Sequence, residues 1–161
     1  MSNVSLPVGS ALLAVFFGAG AGACVRWGLN EALNQRLPAM PLGTLAANLI
    51  GGYLVGVAIG FFAWRSELSP LWRLLAITGF LGGLTTFSAF SAEVVNAILR
   101  GEPLWALATA AAQLVGSLAL TALGLFVAVA ALTSINATMI VGARTNYAMA
   151  RDWPALRFMG G

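Results

Sequence analysis

Residues 79–93, GFLGGLTTFSAFSAE, put three glycines, two threonines and a ladder of phenylalanine and serine inside an otherwise apolar run. A helix through this stretch is weakened at Gly79, Gly82 and Gly83, because each glycine costs about 1 kcal/mol relative to alanine in a helix interior. Thr85 and Thr86 follow at once, so the spacing predicts a break here, with helix resuming from Phe87. Phe87, Phe90, Ser91 and Val94 recur at intervals of three and four, which sets two rings and a hydroxyl on one face. In a bilayer the broken backbone would expose N–H and C=O groups that lipid cannot satisfy. Such a break survives only when buried in protein, lining a wet cavity, or holding an ion through its carbonyls.

The rest of the chain supplies the bilayer context. Its 161 residues are 60% hydrophobic and 8% charged, with a mean hydropathy of +0.90, too little polar surface to coat a soluble globule. Four apolar runs, 8–27, 42–64, 74–99 and 104–130, reach the roughly 20 residues that a helix needs to cross the hydrocarbon core. The expected fold is therefore an all-α membrane protein of four transmembrane helices, the third broken near its middle. Residues 1–132 form this four-span unit, and residues 133–161 read as a less regular tail at an interface or in water. The start, MSNVSLPVGS, lacks the positive n-region of a secretory signal and reads as retained. Histidine is absent and Cys24 is the only cysteine, which removes His-containing triads, the usual zinc ligand sets and an intrachain disulfide. Ser88 or Ser91 would have no histidine base, so the chain is not read as an enzyme. Its eight arginines are scattered between apolar runs, which gives no stripe for a nucleic acid.

Each span carries a small or polar pattern. In the first, Gly18 and Gly22 form a GxxxG pair that lets two helix backbones approach closely, and Arg26 is either a snorkelling anchor or an electropositive group at a pore mouth. In the second, Thr44, Asn48, Gly52, Gly56 and Gly60 recur every four residues. Asn48 in hydrocarbon must bond another helix, a ligand or water, and the spacing leaves interhelical bonding and ligand contact both open. Glu93 is the only acidic residue inside a span; it is either a functional carboxylate or a depth-setting group paired with a neighbour such as Asn96. In the fourth span Thr109, Gln113, Ser117 and Thr121 make a second polar stripe, which could replace part of an ion's hydration shell or simply bond neighbouring helices. The loop arginines barely fix orientation. Arg26, Arg36 and Arg100 face Arg65 and Arg73 across the membrane, and the tail arginines Arg144, Arg151 and Arg157 add to the second side. The near balance suggests copies inserted both ways and paired antiparallel.

Over residues 18–125 the sequence resembles the Fluc fluoride channels, also called CrcB proteins. The resemblance rests on GAGAGACVRW ending span one, Gly43-Thr44-Leu45 with Asn48 and Gly51-Gly52 in span two, and GGLTTFSAFSAE in residues 82–93. It implies an antiparallel dual-topology homodimer in a bacterial inner membrane, with two passive pores that release cytoplasmic fluoride. It further implies a structural Na+ at the dimer centre, held by the backbone carbonyls of Gly82 and Thr85. By the same resemblance the fluoride pathway falls on Phe87, Phe90, Asn48 and Thr44, with Ser117 and Gln113 on span four and Arg26 at the pore mouth. The sequence departs from the family pattern at Ala89, where Thr or Ser is usual, at Thr109, where Tyr is often found, and at Gln113, which replaces Ser. The competing expectations are a small proton-coupled multidrug-type exporter using Glu93, and a non-transporting scaffold whose glycines only pack helices.

Overall fold

The computed structural model describes residues 6–35 and 41–152. Helix α1 is Val8–Leu33 and α2 is Leu42–Trp64. The third crossing is assembled from α3 (Pro70–Arg73), a π-helical stretch (Leu74–Leu81), α4 (Gly82–Leu84) and α5 (Phe87–Leu99), and α6 is Pro103–Asp152. Four runs, Val8–Leu33, Leu42–Trp64, Pro70–Leu99 and Pro103–Met149, are long and apolar enough to cross a membrane. No strand occurs among the described residues, and the third crossing is interrupted at Thr85 and Thr86. Arg36 and Arg157, two of the loop and tail charges weighed above, lie outside the described residues.

The turns follow local chemistry. Ser69 caps the third crossing by accepting from the Leu71 N–H, with Pro70 at the first helical position, where a missing N–H costs nothing. Gly101 closes α5 at φ 75°; its N–H meets the Ile98 carbonyl at 2.9 Å and the Glu102 N–H meets the Ala97 carbonyl at 2.9 Å. That pairing is a Schellman stop, and Pro103 opens α6 directly after it.

Small residues decide which helices pair. α1 lies on the π-helical stretch and α4, while α2 lies on α6. A Cβ on Gly22 would stand 2.7 Å from the Leu84 backbone nitrogen, and one on Gly56 would stand 2.7 Å from that of Leu125. Both contacts are backbone, so neither can yield without separating the helices. The GxxxG pair of α1 thus serves packing within the chain, as does the glycine stripe of α2. Ala47, Leu81 and Leu84 form the buried centre, flanked by Leu29 and Phe80, and this centre sits beside the break. Large apolar side chains such as Phe16, Phe17, Leu107 and Phe126 point outward, as lipid-facing surfaces require.

The tail corrects one expectation. α6 does not end near residue 132 but continues to Asp152 as a helix of 50 residues. At 1.5 Å per residue it is about 75 Å long, against about 30 Å of hydrocarbon. Residues 131–152 contain no proline and only Gly142, so nothing local stops the helix. Thr133, Thr138 and Thr145 turn their hydroxyls back to the carbonyls of Val129, Ser134 and Val141. Losing an apolar stripe removes a packing partner without breaking the helix.

Candidate functional site

The break is built by two threonines and closed by one asparagine. Thr85 (φ −82°, ψ 153°) and Thr86 (φ −151°, ψ 124°) are extended, so the backbone leaves the helical path for two residues. Asn48 on α2 meets both exposed groups of Thr86: its Oδ1 accepts from the Thr86 N–H at 2.8 Å, and its Nδ2 donates to the Thr86 carbonyl at 3.1 Å. The second Nδ2 hydrogen goes to Gln113 Oε1 on α6 at 2.5 Å. Of the two readings left open for Asn48, interhelical bonding is what the geometry contains, and it ties three helices at one point. The Thr86 hydroxyl then caps α5 by accepting from the Ala89 N–H at 3.2 Å.

A cavity of about 340 Å³ opens beside this knot. Asn48, Gln113 and Ser117 supply its polar wall, and Phe87 and Phe90 its aromatic wall. The two rings stand 5.3 Å apart at 63°, an edge contact, with Phe90 buried and Phe87 73% exposed on the single chain. An aromatic edge is electropositive, so rings held this way offer C–H groups to an anion. Among the described residues no carboxylate lines the cavity. Five of the expected pathway residues are therefore brought together.

Thr44 and Arg26 stand elsewhere. Thr44 is buried and its hydroxyl donates to Glu93 Oε1 at 2.5 Å, so the partner of Glu93 is Thr44 rather than Asn96. Arg26 reaches inward, its Nε donating to the Gly83 carbonyl at 3.2 Å, which caps α4 just before the break. The polar stripe of α6 divides in function. Gln113 and Ser117 line the cavity, but the Thr121 hydroxyl lies within 3.0 Å of the Gly52 carbonyl and 2.8 Å of the Ser117 carbonyl, where it serves helix packing.

The break also releases carbonyls. In an unbroken helix the Thr86 N–H would bond the Gly82 carbonyl and the Ala89 N–H would bond the Thr85 carbonyl. Here those donors are taken by Asn48 Oδ1 and Thr86 Oγ1. Gly82 is exposed on the surface of the chain, and Thr85 is half-buried beside it. Backbone oxygens freed in this way suit a small alkali cation. Among the described residues no cluster of His, Cys, Asp or Glu offers a competing metal site.

The spacing placed Thr86 at the break but left out its role there, in which its backbone meets Asn48 and its side chain caps α5. A threonine directly ahead of a helix start is a cap signal, and it was available. Gly51 was not derivable from any stripe. Its missing side chain makes room for the Thr85 methyl, a contact that spacing along α2 does not reveal.

The family described as CrcB-like protein, Camphor Resistance (CrcB), matches residues 13–125. A protein of Burkholderia cenocepacia (strain HI2424) named Fluoride-specific ion channel FluC is 61% identical over 117 residues, covering 73% of this chain and 91% of that protein. A protein of the same name from Burkholderia pseudomallei (strain 668) is 57% identical over 117 residues, with the same coverage. The proton-coupled exporter gains no support from these relatives. A match over most of the four spans, carrying the broken third crossing and its Asn48 knot, places the chain in the CrcB-like family.

Proposed function

We propose that the chain is a passive fluoride-selective channel, a multi-pass membrane protein and not an enzyme, that lets cytoplasmic fluoride leave the cell across a bacterial inner membrane. The single observation that carries this is a cavity lined by Phe87, Phe90, Asn48, Gln113 and Ser117 and, among the described residues, by no carboxylate, together with relatives named as fluoride-specific ion channels. Fluoride is small and strongly hydrated, so a conduit must replace its water with many weak donors rather than one tight site. Phe87 and Phe90 supply ring edges, each worth under about 1 kcal/mol as a C–H contact. Asn48, Gln113 and Ser117 form the polar side of the path. Thr44 lies one helical turn further along the α2 stripe, and Arg26 adds positive charge beside the break.

The working unit is an antiparallel homodimer. Gly82, Phe87 and Ser88 are exposed on the single chain beside a broken backbone, a surface that lipid cannot cover without leaving polar groups unmet. A second, inverted copy would cover it. The carbonyls of Gly82 and Thr85 would hold a structural Na+ at the centre of that dimer. When bound, the cation offsets part of the cost of bringing an anion into a region of low dielectric.

Efflux from proteoliposomes, read with a fluoride electrode, tests the function: fluoride leaves and chloride stays. Vesicles that retain fluoride despite folded protein reject it. A C-terminal tag reached from both faces of the membrane is expected for antiparallel copies, and access from one face alone rules them out. Exchanging Na+ for a bulky organic cation should lower the midpoint of thermal unfolding, since a ligand at about 100 times its Kd stabilises by about 2.7 kcal/mol. An unchanged midpoint removes Na+ from the proposal.

A further inference from the structure

Helix α6 outruns the helix that covers it. Gly52 lies against Ser117, Gly56 against Leu125 and Gly60 against Ala128, so α2 and α6 run parallel with one face of α6 packed on α2. α2 ends at Trp64. At the same level Leu132 is half-buried, and every side chain from Thr133 to Met149 is exposed. Trp105 and Trp64, both exposed, mark the two membrane surfaces by the usual preference of tryptophan for interfaces. From Trp105 to Leu132 the helix rises about 40 Å, which uses up hydrocarbon core and headgroups together. The residues beyond stand in water on the axis of span four, because α6 carries no break or proline at which it could bend to lie along the surface. A lipid surface therefore does not cover them.

The broad apolar face of the span narrows there to a seam. Leu132, Ile135, Met139, Gly142, Asn146 and Met149 alternate at spacings of three and four, the a and d positions of a heptad repeat. Arg144 and Arg151 both fall at f, on the side away from the seam. The rim positions of the first two heptads, Asn136, Thr138, Ala143 and Thr145, carry no charge, and the hydroxyls of Thr138 and Thr145 are spent on carbonyls of their own helix. Two copies can therefore meet along the seam without opposing like charges. Asn146 selects the arrangement: at an a position it needs a polar partner, and a parallel, in-register pair supplies the Asn146 of the second copy. Ile140, Val141 and Tyr147, at b and c, stay outside such a pair. We infer that residues 132–149 form a parallel two-stranded coiled coil with the same segment of a second copy inserted in the same orientation. In an antiparallel dimer the two tails leave opposite faces of the membrane, so each tail pairs with one from a neighbouring dimer and links the channels side by side. That linkage rests on the antiparallel reading; the seam itself does not.

Disulfide trapping tests it in the full chain reconstituted into vesicles, with Cys24→Ser so that the introduced thiol is alone. Met149→Cys sits at d and Arg144→Cys at f, and only the first brings two Cα atoms within the roughly 7 Å that a disulfide spans, so covalent pairs form at least about tenfold faster at Met149→Cys. Equal rates at the two positions, or no pair at Met149→Cys, overturn the inference. In the second case a thiol shielded from a water-soluble maleimide in purified vesicles assigns the face to lipid, and one shielded only in native membranes assigns it to another protein. Adding Met139→Glu, which opposes two carboxylates across an a position, should cut the trapping at Met149→Cys about tenfold and leave fluoride efflux unchanged. Trapping that persists overturns the seam. The native mass of the trapped particle separates this inference from the reading beneath it: two linked dimers agree with antiparallel copies, whereas a single dimer keeps the coiled coil and sinks the antiparallel arrangement.

Discussion

Asn48→Leu abolishes fluoride efflux, by at least about a hundredfold, the factor that corresponds to roughly 3 kcal/mol. Leucine has the shape of asparagine without its polar atoms, so the change removes three hydrogen bonds and little volume. A buried polar group left unmet costs about 1–3 kcal/mol, and here the Thr86 N–H, the Thr86 carbonyl and Gln113 Oε1 all lose their partner. Interhelical hydrogen bonds in membrane proteins are commonly worth only about 0.6 kcal/mol, because the separated helices find other partners. The break differs from that average in having one nearby alternative: the Thr86 N–H can return to the Gly82 carbonyl and heal the helix. Either course ends conduction. If the break stays open, the protein unfolds at lower temperature; if it heals, the cavity and the released carbonyl are lost together. Efflux assays paired with thermal unfolding check both, and near-normal efflux would show that Asn48 does not hold the site.

That asparagine also marks how far the sequence could be read. Four crossings, the interruption of the third and the shared face of the two rings were legible, because apolar length and three-or-four spacing are properties of a single helix. The location of the break was only half legible. Glycines 79, 82 and 83 suggested where helix is weak, yet all three remain helical and the extended residues are Thr85 and Thr86. The glycines answer a tertiary demand: a Cβ on Gly79 would stand 3.0 Å from the Gly18 Cα. Partnerships between helices were hidden for the same reason. Glu93 meets Thr44 across 49 positions of sequence and Asn48 meets Gln113 across 65, and no periodicity within one span encodes which stripe faces which. The tail misled in the opposite sense, since its composition lost the apolar regularity of a span while keeping the propensity of a helix.

Phe87→Ile and Phe90→Ile are expected to lower fluoride efflux to a similar degree while differing in their effect on stability. One ring edge contributes under about 1 kcal/mol to an anion, which alone would give a loss of about fivefold. The rings are coupled, however: they touch edge to face at 5.3 Å, so removing either frees the other from its fixed orientation. Loss of both contacts approaches 2 kcal/mol, or about thirtyfold in flux. Stability follows burial instead. Phe90 is 8% exposed and its replacement forfeits packing and an aromatic pair worth about 0.5–1.5 kcal/mol. Phe87 is 73% exposed on the single chain, so its replacement forfeits the pair but little packing within the subunit. Phe87→Ile is therefore the cleaner test, because a fall in efflux from protein that elutes and melts like wild type cannot be assigned to misfolding. Unaltered efflux from it would remove the aromatic wall from the fluoride path and leave the amide side to account for recognition alone.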